Sequence, residues 1–384
     1  MDSMARGAGL RVARIFGIPI YLHASWFLVF ALITLSLASG FAAQNQDWSA
    51  GQQWAVGVLT SLLFFGSVLF HELSHSVVAL HYRIPVHSIT LFVFGGVAQI
   101  TRDPLRAWQE FLIAAAGPLS SCLLAGGFYL LQISSPAGSM RHEIGEWLAL
   151  VNFSLAMFNL IPGFPLDGGR ILRSILWGVT GSFLRATRIA SRTGEAIGFL
   201  LIALGLGGAL FGRSAGVGMF EGLWMAFIGW FLLNMARQSY AQAKAQGTLA
   251  ELKVADIMMP DAPTVARNAS LEEYSHEIAR SKARTHLVVD DGQLAGLMSL
   301  EALKSVPESE WTRTSVQAVM LPRERVHWMG PAEPALALME RMRQEGLQEV
   351  AVVDDERVVG LVTLESVAQA VQIRAELGRS GVAG

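Results

Sequence analysis

The sequence predicts an α-helical multi-pass membrane domain of about six transmembrane helices, with a short re-entrant β-hairpin, followed by a soluble α/β module. Three observations carry that prediction. Of the 384 residues, 52% are hydrophobic and 16% charged, and the apolar residues gather in runs comparable to the ~20 residues that span a bilayer core. Charge is divided along the chain: residues before 248 hold 15 Lys+Arg and 10 Asp+Glu, net +5, while the remainder hold 14 and 21, net −7. Finally, the acidic last third contains an internal repeat. These features divide the chain into a membrane domain over 1–240, a linker over 241–250, repeat units over 251–310 and 313–373, and a tail over 374–384.

The apolar runs place spans near 20–39, 54–80, 109–134, 147–177, 196–212 and 219–237, the fourth interrupted and the fifth short. Arg6, Arg11 and Arg14 precede the first span, and Arg83, Arg102 and Arg106 follow the second. Arg185, Arg188 and Arg192 follow the fourth, and Arg237 and Lys244 follow the sixth. The opposite loops, near 40–53, 135–146 and 213–218, hold only Arg141 and Arg213. The positive-inside rule then makes the chain a multi-pass protein of the cell membrane with both termini cytoplasmic. The first span is long and lacks a small-residue cleavage signature after it, so it reads as retained rather than as a signal peptide. Cys122, the single cysteine, excludes an intrachain disulfide or a multi-thiolate metal site.

The second span carries His71-Glu72-Leu73-Ser74-His75. On a helix, residues four apart share a face, so both imidazoles point at one metal ion and Glu72 lies within reach of water held there. An HExxH alone is a weak signal, and zinc requires a third protein ligand. The acids before residue 248 are Asp2, Asp47, Glu72, Asp103, Glu110, Glu143, Glu146, Asp167, Glu195 and Glu221. Besides Glu72, only Asp167 falls well inside a span. It lies in Asn159-Leu160-Ile161-Pro162-Gly163-Phe164-Pro165-Leu166-Asp167-Gly168-Gly169, whose prolines and glycines must break the helix, and broken backbone at membrane depth belongs where it is buried in protein or lines a wet cavity. Both spans run inward, with His71, His75 and Asp167 in their inner halves. Taken singly, the histidines also read as interhelical hydrogen-bonders, Glu72 as an ion-pair partner and Asp167 as a helix cap. Their coincidence at one depth favours ligands.

An HExxH in a hydrophobic span, followed about ninety residues later by NxxPxxxLDG in another, resembles the site-2 protease family of intramembrane zinc metalloproteases. The resemblance covers roughly 8–240, and Gly17-Ile18-Pro19-Ile20-Tyr21-Leu22-His23 with Ser25-Trp26 is similar to the subgroup with a six-span core and a cytoplasmic regulatory tail. It implies one zinc ion held by His71, His75 and Asp167, Glu72 as general base, and Asn159 as a catalytic residue that positions substrate or stabilises the oxyanion. The implied substrate is a single-span membrane protein cut within the bilayer in regulated intramembrane proteolysis, and no nucleic-acid partner is expected. Residues 85–100 alternate partly, are rich in β-branched and aromatic side chains, and carry Gly95-Gly96 at a turn, which predicts the hairpin. It either presents a strand edge to an unwound substrate or packs as a cover over the site. His23, His81 and His87 read as surface or interfacial histidines. Gly117-Pro118 reads as a kink among small packing residues, and Arg170 and Arg173 as anchors for the inner helix end.

In the tail, Val254-Ala255-Asp256-Ile257-Met258 recurs as Val316-Gln317-Ala318-Val319-Met320. Leu287-Val288-Val289-Asp290-Asp291 with Gly296-Leu297-Met298-Ser299-Leu300-Glu301 recurs as Ala351-Val352-Val353-Asp354-Asp355 with Gly360-Leu361-Val362-Thr363-Leu364-Glu365. Each unit reads as helix, strand, Asp-rich turn, strand and helix, which resembles a tandem pair of CBS domains. The resemblance implies an adenosine nucleotide in the cleft, or a homodimer through the pair. Ala302 and Ser366 stand where the family places a ribose-binding acid, so nucleotide binding is expected to be weak. A CBS-regulated channel or transporter is the rival function, and a catalytically inactive scaffold is a third. A transporter should show paired repeats in its membrane half and ion-coordinating acids in several spans, and neither is present in the sequence.

Overall fold

The computed structural model describes residues 9–93, 95–100, 104–211 and 218–380. Arg6, Arg102 and Arg213 of the topology argument, Asp2 and Asp103 among the acids, Phe94 in the predicted hairpin and the last four residues of the tail lie outside the described residues. The chain divides into two compact units that meet between Ala243 and Lys244.

The membrane unit opens on strands, where hydropathy predicted the start of a helix. β1 (Leu10–Ile15) and β2 (Ile18–Leu22) pair antiparallel across a two-residue turn at Phe16 and Gly17, whose φ values of 50° and 83° suit a hairpin turn with left-handed residues. β2 then pairs in parallel with β3 (Val86–Phe92), which pairs antiparallel with β4 (Gly95–Ile100), giving one sheet of order β1-β2-β3-β4. The predicted hairpin is therefore half of a four-stranded sheet. A short apolar run does not by itself separate strand from helix. Ile20–Leu22 go to the sheet because Ile20 pairs with a fully buried Ile89.

The first helix, α1, spans Ala24–Gln44. Its start explains the His23-Ala24-Ser25-Trp26 stretch: His23 Nδ1 accepts from the Ser25 amide, Ser25 Oγ accepts from the Val93 amide, and Trp26 packs against Phe30 and Phe65. α2 (Ala50–His81) begins at a capping box of Ser49 and Gln52, and α3 (Ala107–Ile133) runs through Pro118. The interrupted fourth span resolves into α4 (Met140–Asn159), a break over 160–166, and α5 (Asp167–Thr180), which ends at Gly181 in the left-handed region. The fifth span is not short. α6 covers Phe183–Phe211, and Arg185, Arg188 and Arg192 lie in its first half rather than in a preceding loop. α7 runs Met219–Ala250, so the expected linker is helical, as its Ala- and Gln-rich composition allows.

Among the described residues, α1, α2, α3, α6 and α7 are long and apolar enough to cross a membrane. Their outward faces carry large exposed apolar side chains, Phe27, Leu123, Phe199, Trp224 and Trp230 among them. Such a surface suits lipid rather than water. α4 is shorter and begins with Arg141, Glu143 and Glu146.

The tail unit repeats one motif. The first copy holds β5 (Thr264–Ala266), α8 (Leu271–Ser281), β6 (Thr285–Asp290), β7 (Gln293–Ser299) and α9 (Leu300–Lys304). After α10 (Val316–Val319) and β8 (Leu321–Pro322), the second holds β9 (Trp328–Met329), α11 (Ala335–Glu345), β10 (Glu349–Asp354), β11 (Arg357–Thr363) and α12 (Leu364–Ser380). One sheet of order β5-β6-β7-β11-β10-β9 carries both, with β8 added to β7. The pairing is exchanged: Met259, ahead of the first copy, bridges to Leu361 of β11, whereas Leu321 and Pro322, ahead of the second, pair with Leu297 and Gly296 of β7. Between the two hairpins lies a shared core of Leu287, Leu294, Val353 and Leu361.

Candidate metal centre

α2 presents His71 and His75 on one face, and Asp167 is the first residue of α5, placed there by the break that Pro162 and Pro165 impose. His71 Nε2, His75 Nε2 and Asp167 Oδ2 form a triangle with each side 3.2 Å. All three side chains are nearly removed from solvent, at 4%, 4% and 9% exposure.

The hydrogen bonds on the far side of the rings define what faces inward. His75 Nδ1 lies 2.6 Å from the Ile113 carbonyl, which only accepts, so Nδ1 carries the proton and a neutral His75 turns the Nε2 lone pair to the triangle. Ser121 Oγ, 2.9 Å from His71 Nδ1, is able to accept the corresponding proton there. Two imidazole lone pairs and a carboxylate oxygen then face one another, which is repulsive unless a cation lies among them. Ligands ~2.0–2.1 Å from a tetrahedral zinc ion stand roughly 3.3 Å apart, so the donor set fits zinc in both chemistry and spacing. Among the described residues, no other group of three His, Cys, Asp or Glu side chains is arranged to hold a metal.

Glu72 follows His71 on α2, and the main-chain N–H of Ala98 in β4 lies near its carboxylate. β4 comes so close that a Cβ on Gly96 would collide with the Glu72 side chain. A similar constraint acts from α3, where a Cβ on Gly117 would fall on both imidazoles. Glu110, Ile113, Gly117 and Ser121, spaced by three, four and four residues, form a face of α3 directed at this region. Sequence reading missed Ile113, gave Ser121 a packing role, placed Gly96 only at the hairpin turn and read Gly117 as part of a kink. The small-residue face was visible, but small residues look the same whether they admit a helix or an imidazole.

Asn159 is not drawn into the cluster. It ends α4 with its amide donating to Leu155 O of its own helix at 2.9 Å. Asn152, two turns earlier and 1% exposed, instead reaches Ser67, one turn before His71. Arg173 is not a surface anchor: it is buried in an ion pair with Glu110. Arg170 is half-buried, and His23, His81 and His87 are exposed. In the tail, Ser366 and Thr363 cap one another's main-chain N–H groups, both at 3.1 Å, and the Ala302 amide bonds to Ser299 Oγ.

Residues 59–146 and 137–201 match peptidase family M50, and residues 254–308 and 316–373 each match the CBS domain. The chain is 36% identical over 370 residues to a protein of Synechocystis sp. (strain ATCC 27184 / PCC 6803 / Kazusa) that bears the name zinc metalloprotease, covering 95% of this chain and 96% of the other. It is 35% identical over 370 residues to Rip3 of Mycobacterium tuberculosis, which carries the same description, covering 94% and 92%. A solved site-2 protease from Methanocaldococcus jannaschii is 31% identical, covers 60% of this chain and 94% of its own, and superposes with a TM-score of 0.40. The chain belongs to peptidase family M50, as a multi-pass membrane metalloprotease that carries a tandem pair of CBS domains.

Proposed function

We propose that this protein is an intramembrane zinc endopeptidase in which His71, His75 and Asp167 hold the metal and Glu72 is the general base. The observation that carries the reading is the triangle of three donor atoms at 3.2 Å, with Glu72 beside it on the same helix. Zinc bound there supplies Lewis-acid polarisation of the scissile carbonyl and acidifies water. The chain's own groups do the rest. Ile113 O and Ser121 Oγ fix the orientation of the imidazoles, and β4 packs closely against Glu72 at Gly96. The Glu72 carboxylate takes a proton from the attacking water and returns it to the leaving nitrogen as the peptide C–N bond breaks.

The substrate in this reading is a single-span membrane protein, cut in or beside its span in regulated intramembrane proteolysis. A helix hides its scissile carbonyl, so the segment must be extended, and β4 is an edge strand that closely approaches the base at Gly96. An unwound substrate strand added along that edge would bring its backbone to Glu72. Asn159, at the opening of the break that ends in Asp167, is retained as the residue contacting the substrate carbonyl. Both termini are cytoplasmic, and the CBS pair modulates cleavage without contributing to the chemistry. Nucleotide is weak in this reading, because Ser366 spends its hydroxyl on Thr363 and Ala302 has none. A CBS-mediated homodimer is part of the same reading, and light scattering reads it directly.

Comparing zinc content and membrane-protein fragments between the native chain and Glu72→Gln tests the assignment. Glu72→Gln should keep about one zinc per chain while cleavage falls by roughly 10²–10⁴. Retained cleavage would remove Glu72 from the mechanism.

A further inference from the structure

We propose that Glu110 and Arg173 form a positioning pair that sets α5 against α3 and so holds Asp167 at the two imidazoles. The inference rests on reading His71, His75 and Asp167 as the metal ligands.

Glu110 is fully buried and Arg173 is 8% exposed. The guanidinium donates through both Nε and Nη2 to a single oxygen of Glu110. Its planar face meets two rings, with the carbon 4.9 Å from the centre of Phe164 and 4.5 Å from that of Phe183. A buried ion pair contributes little net stability compared with apolar residues of similar volume, because both charges must leave water. Stability alone is therefore a poor reason for this arrangement.

Its place in the fold supplies a better one. On α3, Glu110 lies one turn before Ile113, the acceptor for His75, on the face that continues through Gly117 to Ser121, the partner of His71. The pair thus engages the same face of α3 that orients both imidazoles. On the other side, Phe164 lies in the break three residues before Asp167, while Arg173 lies six residues after it on α5. One guanidinium therefore grips the chain on both sides of the carboxylate ligand. α5 is only 14 residues long and starts at that ligand, so a slide or rotation against α3 would carry Asp167 off the triangle. A lysine would keep the charge but lose the planar fork and the two stacked faces.

The test uses the full-length protein in detergent, with zinc affinity measured by chelator competition and site geometry by the d–d absorption of the cobalt-substituted form. The variants are Glu110→Gln, Arg173→Gln and the double variant, with His75→Ala as control. Each single change strands a buried partner and should weaken zinc binding at least thirtyfold. The double variant removes the stranded charge and should bind about tenfold more weakly than native, tighter than either single. The cobalt band should shift in all three. Zinc affinity within twofold of native and an unchanged cobalt band, whatever the melting temperature, would reduce the pair to ordinary packing and overturn the proposal. Effects of the two single changes that simply multiply in the double would also overturn it. If the single variants do not fold, the double variant decides on the same criteria. Undiminished zinc binding in His75→Ala would instead defeat the ligand assignment, and the pair's role with it.

Discussion

Gly117 lies directly against the imidazole of His75, with no room for a methyl group between them. Gly117→Ala should therefore displace both rings and weaken zinc binding at least tenfold, as disturbing the groups that orient a ligand commonly does. Gly126, on the same helix with open space around its Cα, is the matched control. Gly126→Ala should leave metal affinity unchanged, and chelator competition on both variants checks the contrast.

Asp167→Ala should remove the third ligand and lower zinc affinity by orders of magnitude, because two imidazoles alone hold the ion poorly. Metal analysis after dialysis reads the loss. Full zinc content would send the search for the third ligand elsewhere.

Gly96→Ala separates base from metal. The added carbon meets the Glu72 side chain first and then Leu91, so zinc should remain at one per chain while kcat falls at least tenfold. Parallel metal analysis and cleavage assays decide whether β4 shapes the catalytic step.

The tail should weaken in acid. His286 is fully buried, edge-on to Tyr274 with its Nε2 2.9 Å from Ser281 Oγ, and desolvation holds its imidazole below the usual range, with Glu277 opposing in part. Between that lowered value and the free value near 6.5, the unfolded chain binds a proton that the folded chain does not. Stability from this group is complete above about pH 6.5 and is lost as pH falls through the window. Denaturant melts of a 244–384 fragment at pH 7.5 and pH 5 should differ, and His286→Gln should narrow the difference. Equal differences in the two proteins would clear His286 of the effect.

Adenosine nucleotides should bind the tail with a Kd no tighter than about 1 mM, about −4 kcal/mol. Calorimetry of 244–384 with ATP and AMP checks this, and micromolar binding would show that other groups replace the ribose-binding acids.

Much of the centre was legible in the sequence because its members are of types rarely tolerated in a bilayer. His71, Glu72, His75 and Asp167 stand out against apolar neighbours, and Pro162 and Pro165 announce the break. The groups that orient them did not stand out. Ile113 acts through its carbonyl, a group every residue has, and Gly96 and Gly117 act by lacking a side chain. β1 and β2 were hidden because an apolar run has no preferred direction until its pairing partner is known, and Ile20 finds its partner sixty-nine residues later in Ile89. Hydropathy truncated α6 at its arginine-bearing half. The repeat fixed the tail's hairpins, but not that their opening segments trade places.

That trade limits how the tail can be divided. Since Met259 bridges to the second copy and Leu321 pairs with the first, a stop codon between the copies would strip the surviving first copy of a pairing segment it borrows. The module is a duplication that can no longer be undone one half at a time. A frameshift between the two copies should therefore cost the cell the whole appendage rather than half of it.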